Sequence, residues 1–185
     1  MDVFEAMYAR QSIGQVKPEA VPRELIEKIL SAAAQAPNHH KVRPWRFAVL
    51  TGASRERLGE AMAQSTKASK PDATTDELHK ERVKPLRAPV IIAVAVDKPT
   101  LPKVQEVENL CAAAAAVQNM LLAAHALGLA AIWRTGPSAT DPLIKQFFGW
   151  EADQHLIGFV YLGYPLSDPA PVMRPSFEDR TVWME

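Results

Sequence analysis

The groups able to do chemistry in this 185-residue chain are mostly cationic and sit where regular elements should end. Arg10 and Ser12 follow a short opening helix, His39, Lys41 and Arg43 crowd one loop, and Arg134 follows a strand. Guanidinium forks and hydroxyls bind phosphate and carboxylate groups well, so convergence of these residues would make an anion site. The alternative is that Arg10 and Arg134 are solvated or salt-bridged, and spacing alone does not choose between the two. Competing chemistries lack their residues. There is no G-x-G-x-x-G after a strand, no G-x-x-x-x-G-K-[ST] and no G-x-S-x-G, so a Rossmann site, a P-loop and a nucleophile elbow are all unsupported. The five histidines (His39, His40, His79, His125, His155) show no H-E-x-x-H spacing, and Cys111 is the only cysteine. No metal site is expected, and no residue is assigned as a catalytic nucleophile or acid. His125, on an apolar helix, reads as a core or interface histidine. Trp45 and Trp133 could stack on a planar ring or simply fill the core.

Composition narrows the partners. Lys plus Arg and Asp plus Glu balance at 21 each, so no global field draws nucleic acid or an anionic membrane. With 48% hydrophobic residues, one domain over residues 1–185 can bury roughly 70% of its unfolded surface without staples. A lone cysteine makes no internal disulfide, and the acids in Met1-Asp2-Val3-Phe4-Glu5 do not resemble a secretion signal, so a cytoplasmic setting is expected. Asn109 to Trp133 carries no Asp, Glu, Lys or Arg. Its alanine content and its Gln118, Asn119 and His125 favour a buried helix over a membrane span.

The elements that must position these groups follow from periodicity. Phe4, Met7 and Tyr8 give an apolar face to a helix from about Asp2 to Ala9. Pro22 precedes Leu25, Ile26, Ile29, Leu30 and Ala33, a second amphipathic helix ending at Ala36-Pro37. The Pro37 to Trp45 loop is pinned by prolines and leads into the apolar run Phe47 to Leu50. Ser54 to Ala88 is polar, which suggests surface helices and a mobile excursion around Lys67 to Thr75 that covers something rather than building core. Val90 to Val96 is continuously apolar and β-branched, a strand buried on both faces at the centre of a sheet. A long Ala-rich helix from about Val104 to Leu127 ends at Gly128, and strands at Ala130 to Thr135 and Leu156 to Tyr164 flank a helix from about Asp141 to Phe148. The proline-rich tail from Pro165 to Glu185 has no core of its own and must be tied down elsewhere. The result is an α+β or α/β layer architecture.

A series of short motifs, in order, is similar to those of the FMN-dependent nitroreductase family, in particular its short branch, over nearly the whole chain. They are Arg10-Gln11-Ser12, in the place of the family's Arg-Arg-Ser; Pro22-Arg23-Glu24-Leu25 with Ile29 to Ala33; and Ala36-Pro37 followed by Pro44-Trp45-Arg46-Phe47. Arg87-Ala88-Pro89, Ala131 to Gly136 and Gly158 to Pro165 complete the set. Asn38, Lys41 and Arg43 depart from the family's Ser, Asn and Gln, and Gln11 removes one positive charge.

The resemblance implies an α+β nitroreductase-like sandwich, a central mixed sheet flanked by helices, in an intertwined homodimer with FMN at the subunit interface. It implies that Arg10, Gln11 and Ser12 hold the phosphate and ribityl, helped by Arg134 or a C-terminal arginine, Arg174 or Arg180. By the same resemblance Gln35 and His39 approach the flavin from the other subunit, while Trp133, Arg134 and Thr135 line it. A backbone N–H near Thr135 or Gly136 would meet flavin N5. The implied activity passes electrons from NAD(P)H through FMN to a nitroaromatic, quinone or similar small acceptor by a ping-pong mechanism. A flavin-binding storage or regulatory protein without turnover is the alternative, and an interaction dimer lacking FMN is a third.

Overall fold

The computed structural model describes residues 1–185, and its first helix shows how local chemistry sets an element's start. Helix α1 (Val3–Ala9) opens on a reciprocal cap in which Asp2 accepts from the Glu5 N–H and Glu5 accepts from the Asp2 N–H, both at 2.8 Å. Its apolar residues face outward rather than inward. Only Ala6 is buried, and Phe4 and Tyr8 are 63% and 76% exposed. Helix α2 (Arg23–Ala33) buries Ile26, Ile29 and Ala33. It stops three residues before the expected boundary, because the Gln35 and Ala36 N–H groups reach back only to the carbonyls of Ala32 and Ala33.

Four strands follow: β1 (Trp45–Leu50), β2 (Val90–Val96), β3 (Ala130–Arg134) and β4 (His155–Gly163). They form one sheet in the order β1-β2-β4-β3 with every neighbour antiparallel. The expected mixed sheet is therefore corrected. A run of apolar residues reports burial on both faces but carries no information on strand direction. The burial expectation for β2 holds: Val90, Ile92, Val94 and Val96 enter one core, Ile91 and Ala93 the other. The first core is closed by α2 and by α5 (Glu106–Ala126), whose buried side includes Ala113, Ala116, Val117, Met120 and Ala124. Gly128, at φ +75°, ends that helix.

The second core corrects the expectation for Ser54 to Ala88. Helix α3 (Ala53–Ser69) drives Leu58 and Met62 against Ile91, Phe159 and Tyr161, so this stretch builds core as well as surface. Helix α4 (Thr75–Val83) packs so close to α3 that a Cβ on Gly59 would lie 2.1 Å from the Arg82 carbonyl oxygen. The expected excursion shrinks to a tight link between the two helices, closed by Lys67 Nζ on the Pro71 carbonyl at 2.5 Å and by the Lys70–Glu77 pair at 2.6 Å. Short helices α6 (Pro137–Thr140) and α7 (Pro142–Phe147) then bridge β3 to β4. The tail beyond Pro165 is exposed throughout.

Candidate functional site

The chain from Ile13 runs alongside β3, its N–H bonded to the Ala131 carbonyl at 3.1 Å. That pairing carries Arg10 to Ser12 and Arg134 to one corner of the fold. A Cβ on Gly14 would fall 2.7 Å from Arg134 Nη2, so the glycine makes room for the guanidinium. Arg134 also lies 5.3 Å above the Tyr161 ring. Its Nε is buried with no partner, and so is the Nε of Arg10. Neither guanidinium has a carboxylate within ion-pair distance. Burial, and after it the charge of Arg174, draws the Arg10 pKa below its ordinary value. Arg55 Nε and His125 Nε2 are likewise buried without a partner, but only Arg10 and Arg134 are among the cationic groups that the sequence places at element ends.

A bulge in β4 shapes the other wall. The β2–β4 register slips between Val94 and Ala95, which face Gly158 and Leu156 and leave Ile157 unpaired. The Ile157 carbonyl accepts from Trp133 Nε1 at 3.1 Å. Gly158 adopts φ +135°, and a Cβ there would meet the Arg134 carbonyl oxygen at 2.5 Å and Trp133 Nε1 at 2.6 Å. Trp133 is thus held by its indole N–H, and with Arg134 and Thr135 it lines a cleft of about 330 Å³ shared with Lys84, Arg87 and Tyr161. The backbone N–H groups of Thr135 and Gly136 have no partner in the chain. Burial raises the Tyr161 pKa, against the opposing pull of Arg134 and Arg87.

The remaining predicted residues lie apart. Gln35 is exposed on a groove of about 460 Å³ formed with α1 and α5, its amide reaching the Ser31 carbonyl at 3.4 Å. His39 lines a third cleft, of about 410 Å³, and pairs through Nδ1 with Glu108 Oε2 at 2.9 Å. Within one chain neither residue joins the Arg134 cleft. The loop that carries His39 is strained: His40, Lys41 and Arg43 have φ of 51°, 54° and 48°, a region non-glycine residues rarely adopt. Asn38 braces it, accepting from the Arg43 N–H at 2.8 Å and donating to the Ala36 carbonyl at 3.2 Å.

Within one chain Gln11 bonds the tail. Its amide donates to the Ala170 carbonyl at 2.8 Å, tying the tail across the end of α1. The tethered tail delivers Arg174, which donates to the carbonyls of Met7, at 3.2 Å, and Arg10. Of the two C-terminal arginines, Arg174 reaches this corner, whereas Arg180 pairs with Asp179 at 3.0 Å. Sequence reasoning missed Glu108 and Lys84, and held Arg87 and Tyr161 only as members of the Arg87-Ala88-Pro89 and Gly158 to Pro165 motifs, with no place in this cleft. The sequence reading starts the long helix near Val104, two residues before its actual start at Glu106, which hides Glu108 as a capping residue.

The sequence model of the Nitroreductase family matches residues 7–164. The chain is 34% identical over 165 residues to the "Putative NAD(P)H nitroreductase YdjA" of Escherichia coli strain K12, covering 89% of each protein. Its fold superposes with a TM-score of 0.87 on the nitroreductase-like family protein of Bacillus cereus, at 25% identity, covering 100% of this chain and 97% of that one. It superposes with a TM-score of 0.74 on a "putative nitroreductase in complex with fmn" from Desulfovibrio desulfuricans, at 30% identity and with the same coverages. An α+β fold matched over residues 7–164 by one family, with a 34% identical relative over most of both chains, leaves one conclusion: this chain belongs to the nitroreductase family.

Proposed function

We propose that the protein is an FMN-dependent oxidoreductase that works as a homodimer, with each cofactor held between two copies. The observation that carries this reading is the pair of buried, unpartnered Nε donors on Arg10 and Arg134, neither of which pairs with a carboxylate. Such donors fit a phosphorylated planar cofactor, since leaving them unsatisfied costs roughly 1–3 kcal/mol each. When bound, FMN supplies the redox chemistry, taking electrons from NAD(P)H and passing them to a nitroaromatic, quinone or similar acceptor in ping-pong order.

The chain's own residues bind and orient. Arg10 and Ser12 hold the phosphate and ribityl, and Arg174 restores the positive charge that Gln11 lacks, with Gln11 holding the tail in place. Trp133, Arg134 and Thr135 line the ring, and the free N–H groups of Thr135 and Gly136 offer donors to its edge. Arg134 would place positive charge beside the ring, which would favour electron uptake by a bound flavin. Gln35 and His39 come from the second copy, which accounts for their separation from the Arg134 cleft in one chain. The second copy also accounts for the outward apolar residues of α1 and for Val107, Trp183 and Met184, which are 56%, 81% and 94% exposed.

The test is steady-state oxidation of NADH or NADPH by the FMN-loaded chain with menadione or a nitroaromatic as acceptor. Parallel double-reciprocal lines at rates well above those of free FMN are expected. Tight FMN binding without turnover would instead leave a storage or regulatory protein.

A further inference from the structure

The His39–Glu108 pair is built more firmly than a surface ion pair requires. One carboxylate oxygen, Oε2 of Glu108, accepts both the Gln105 backbone N–H at 2.8 Å and His39 Nδ1 at 2.9 Å. The first contact belongs to the cap that starts α5, so the carboxylate is fixed in place before the histidine arrives. From the other side, the strained, Asn38-braced loop sets the position of the imidazole. The side chains facing His39 are Glu108 and Cys111 from α5 and His40, stacked at 4.3 Å, from the loop, with Lys41 next along the chain. Glu108 is the only carboxylate among them, and its hydrogen bond from His39 is the leading cause that holds its pKa below the usual carboxylate range. An ionised carboxylate only accepts, so Nδ1 must carry the hydrogen. Nε2 then has no partner within the chain.

We propose that Glu108 is the positioning residue of His39: it locks the imidazole as its Nδ1–H tautomer and leaves a bare Nε2 to accept an N–H from the ligand's edge. The matching ligand group is an imide flanked by carbonyls, as at the pyrimidine end of a flavin. This rests on the proposed function for the ligand's identity but not for the tautomer. Glu108 touches no ligand itself; it acts through the histidine.

Two readouts separate these parts. Nitrogen-15 spectra of the full-length chain without FMN, at a pH where His39 is neutral, should show hydrogen on Nδ1 and none on Nε2. Glu108→Ala should lose that preference, and Glu108→Gln, whose amide oxygen both accepts from His39 and keeps the helix cap, should retain it. In fluorescence titrations with FMN, E108A should bind about threefold to tenfold more weakly, the span of one hydrogen bond, with E108Q close to wild type. The E108A penalty should vanish when His39→Ala is already present. Hydrogen on Nε2 in the wild type overturns the tautomer assignment. An undiminished E108A penalty in the H39A background shows that Glu108 acts through the helix cap alone, and overturns the positioning role. Wild-type protein that takes up no FMN defeats the proposed function and the ligand half of this inference, while the spectra still decide the pairing.

Discussion

In the proposed function, Arg10, Gln11 and Arg174 divide one task among three side chains. Arg10 supplies the buried donor, Arg174 the second charge, and Gln11 the tether that holds the tail beside them. Arg174→Ala should weaken FMN binding about tenfold or more, in the range of a charge-assisted hydrogen bond, while Gln11→Ala should cost less because it loosens the tail without removing a charge. Fluorescence quenching of FMN measures both, and an R174A variant that binds like wild type contradicts this division. Tyr161 gives a pH signature at the same corner. Burial raises its pKa, so the folded state holds the phenolic proton more tightly than the unfolded chain. Its contribution to stability is complete below pH 10, the ordinary tyrosine value, and is lost as pH rises through the higher folded value. Urea unfolding between pH 9 and 11 should therefore show falling stability that Tyr161→Phe flattens, with absorbance at 295 nm tracking the late ionisation. The arginines and serine of this corner were legible as residue types. Glu108 and Tyr161 were not, because each is defined by a neighbour distant in sequence: His39 for the first, Arg134 and Arg87 for the second.

At the level of elements, the bulge in β4 is the least replaceable feature near the site. Gly158→Ala would force a Cβ into the Arg134 carbonyl and the Trp133 indole and put alanine at φ +135°. A loss of about 3 kcal/mol or more is expected, at the severe end of single substitutions, with Trp133 fluorescence shifted as its bond to Ile157 breaks. Denaturant unfolding checks it; a G158A variant as stable as wild type contradicts the bulge's role. Element existence was readable from sequence, since β2's unbroken apolar run and α2's spacing of Ile26, Ile29 and Ala33 leave few alternatives. The antiparallel direction of the sheet was not readable, because direction follows from where the connections return. In β1, Leu50 lies opposite Ile91 after the α3–α4 detour, so a long connection behaves as a hairpin. Nor did the polar surface of α3 reveal that Leu58 and Met62 close the second core, since two side chains per few turns are a weak periodic signal.

The whole molecule leaves apolar surface uncovered at both ends of the chain. Phe4 and Tyr8 of α1 and Val182, Trp183 and Met184 of the tail are more than half exposed, which a second copy would bury. Full-length protein should sediment as a dimer, and a chain truncated after Leu166 should sediment as a monomer or associate weakly, with loss of most FMN affinity. A truncated chain that stays fully dimeric contradicts the tail's part in assembly. The tail's isolation was legible from its prolines and lack of periodicity; its contact with α1 through Gln11 and Arg174 was not, because it rests on two polar side chains far apart in sequence. The central claim is that two copies of this chain enclose FMN through the Arg10–Arg134 corner, and its most direct measurement is a titration of the purified apoprotein with FMN followed by flavin absorbance and fluorescence. Saturable binding at one FMN per chain, with quenched fluorescence and more than tenfold weakening in both Arg10→Ala and Arg134→Ala, is the predicted result. Absence of saturable binding, or binding indifferent to both substitutions, would contradict it.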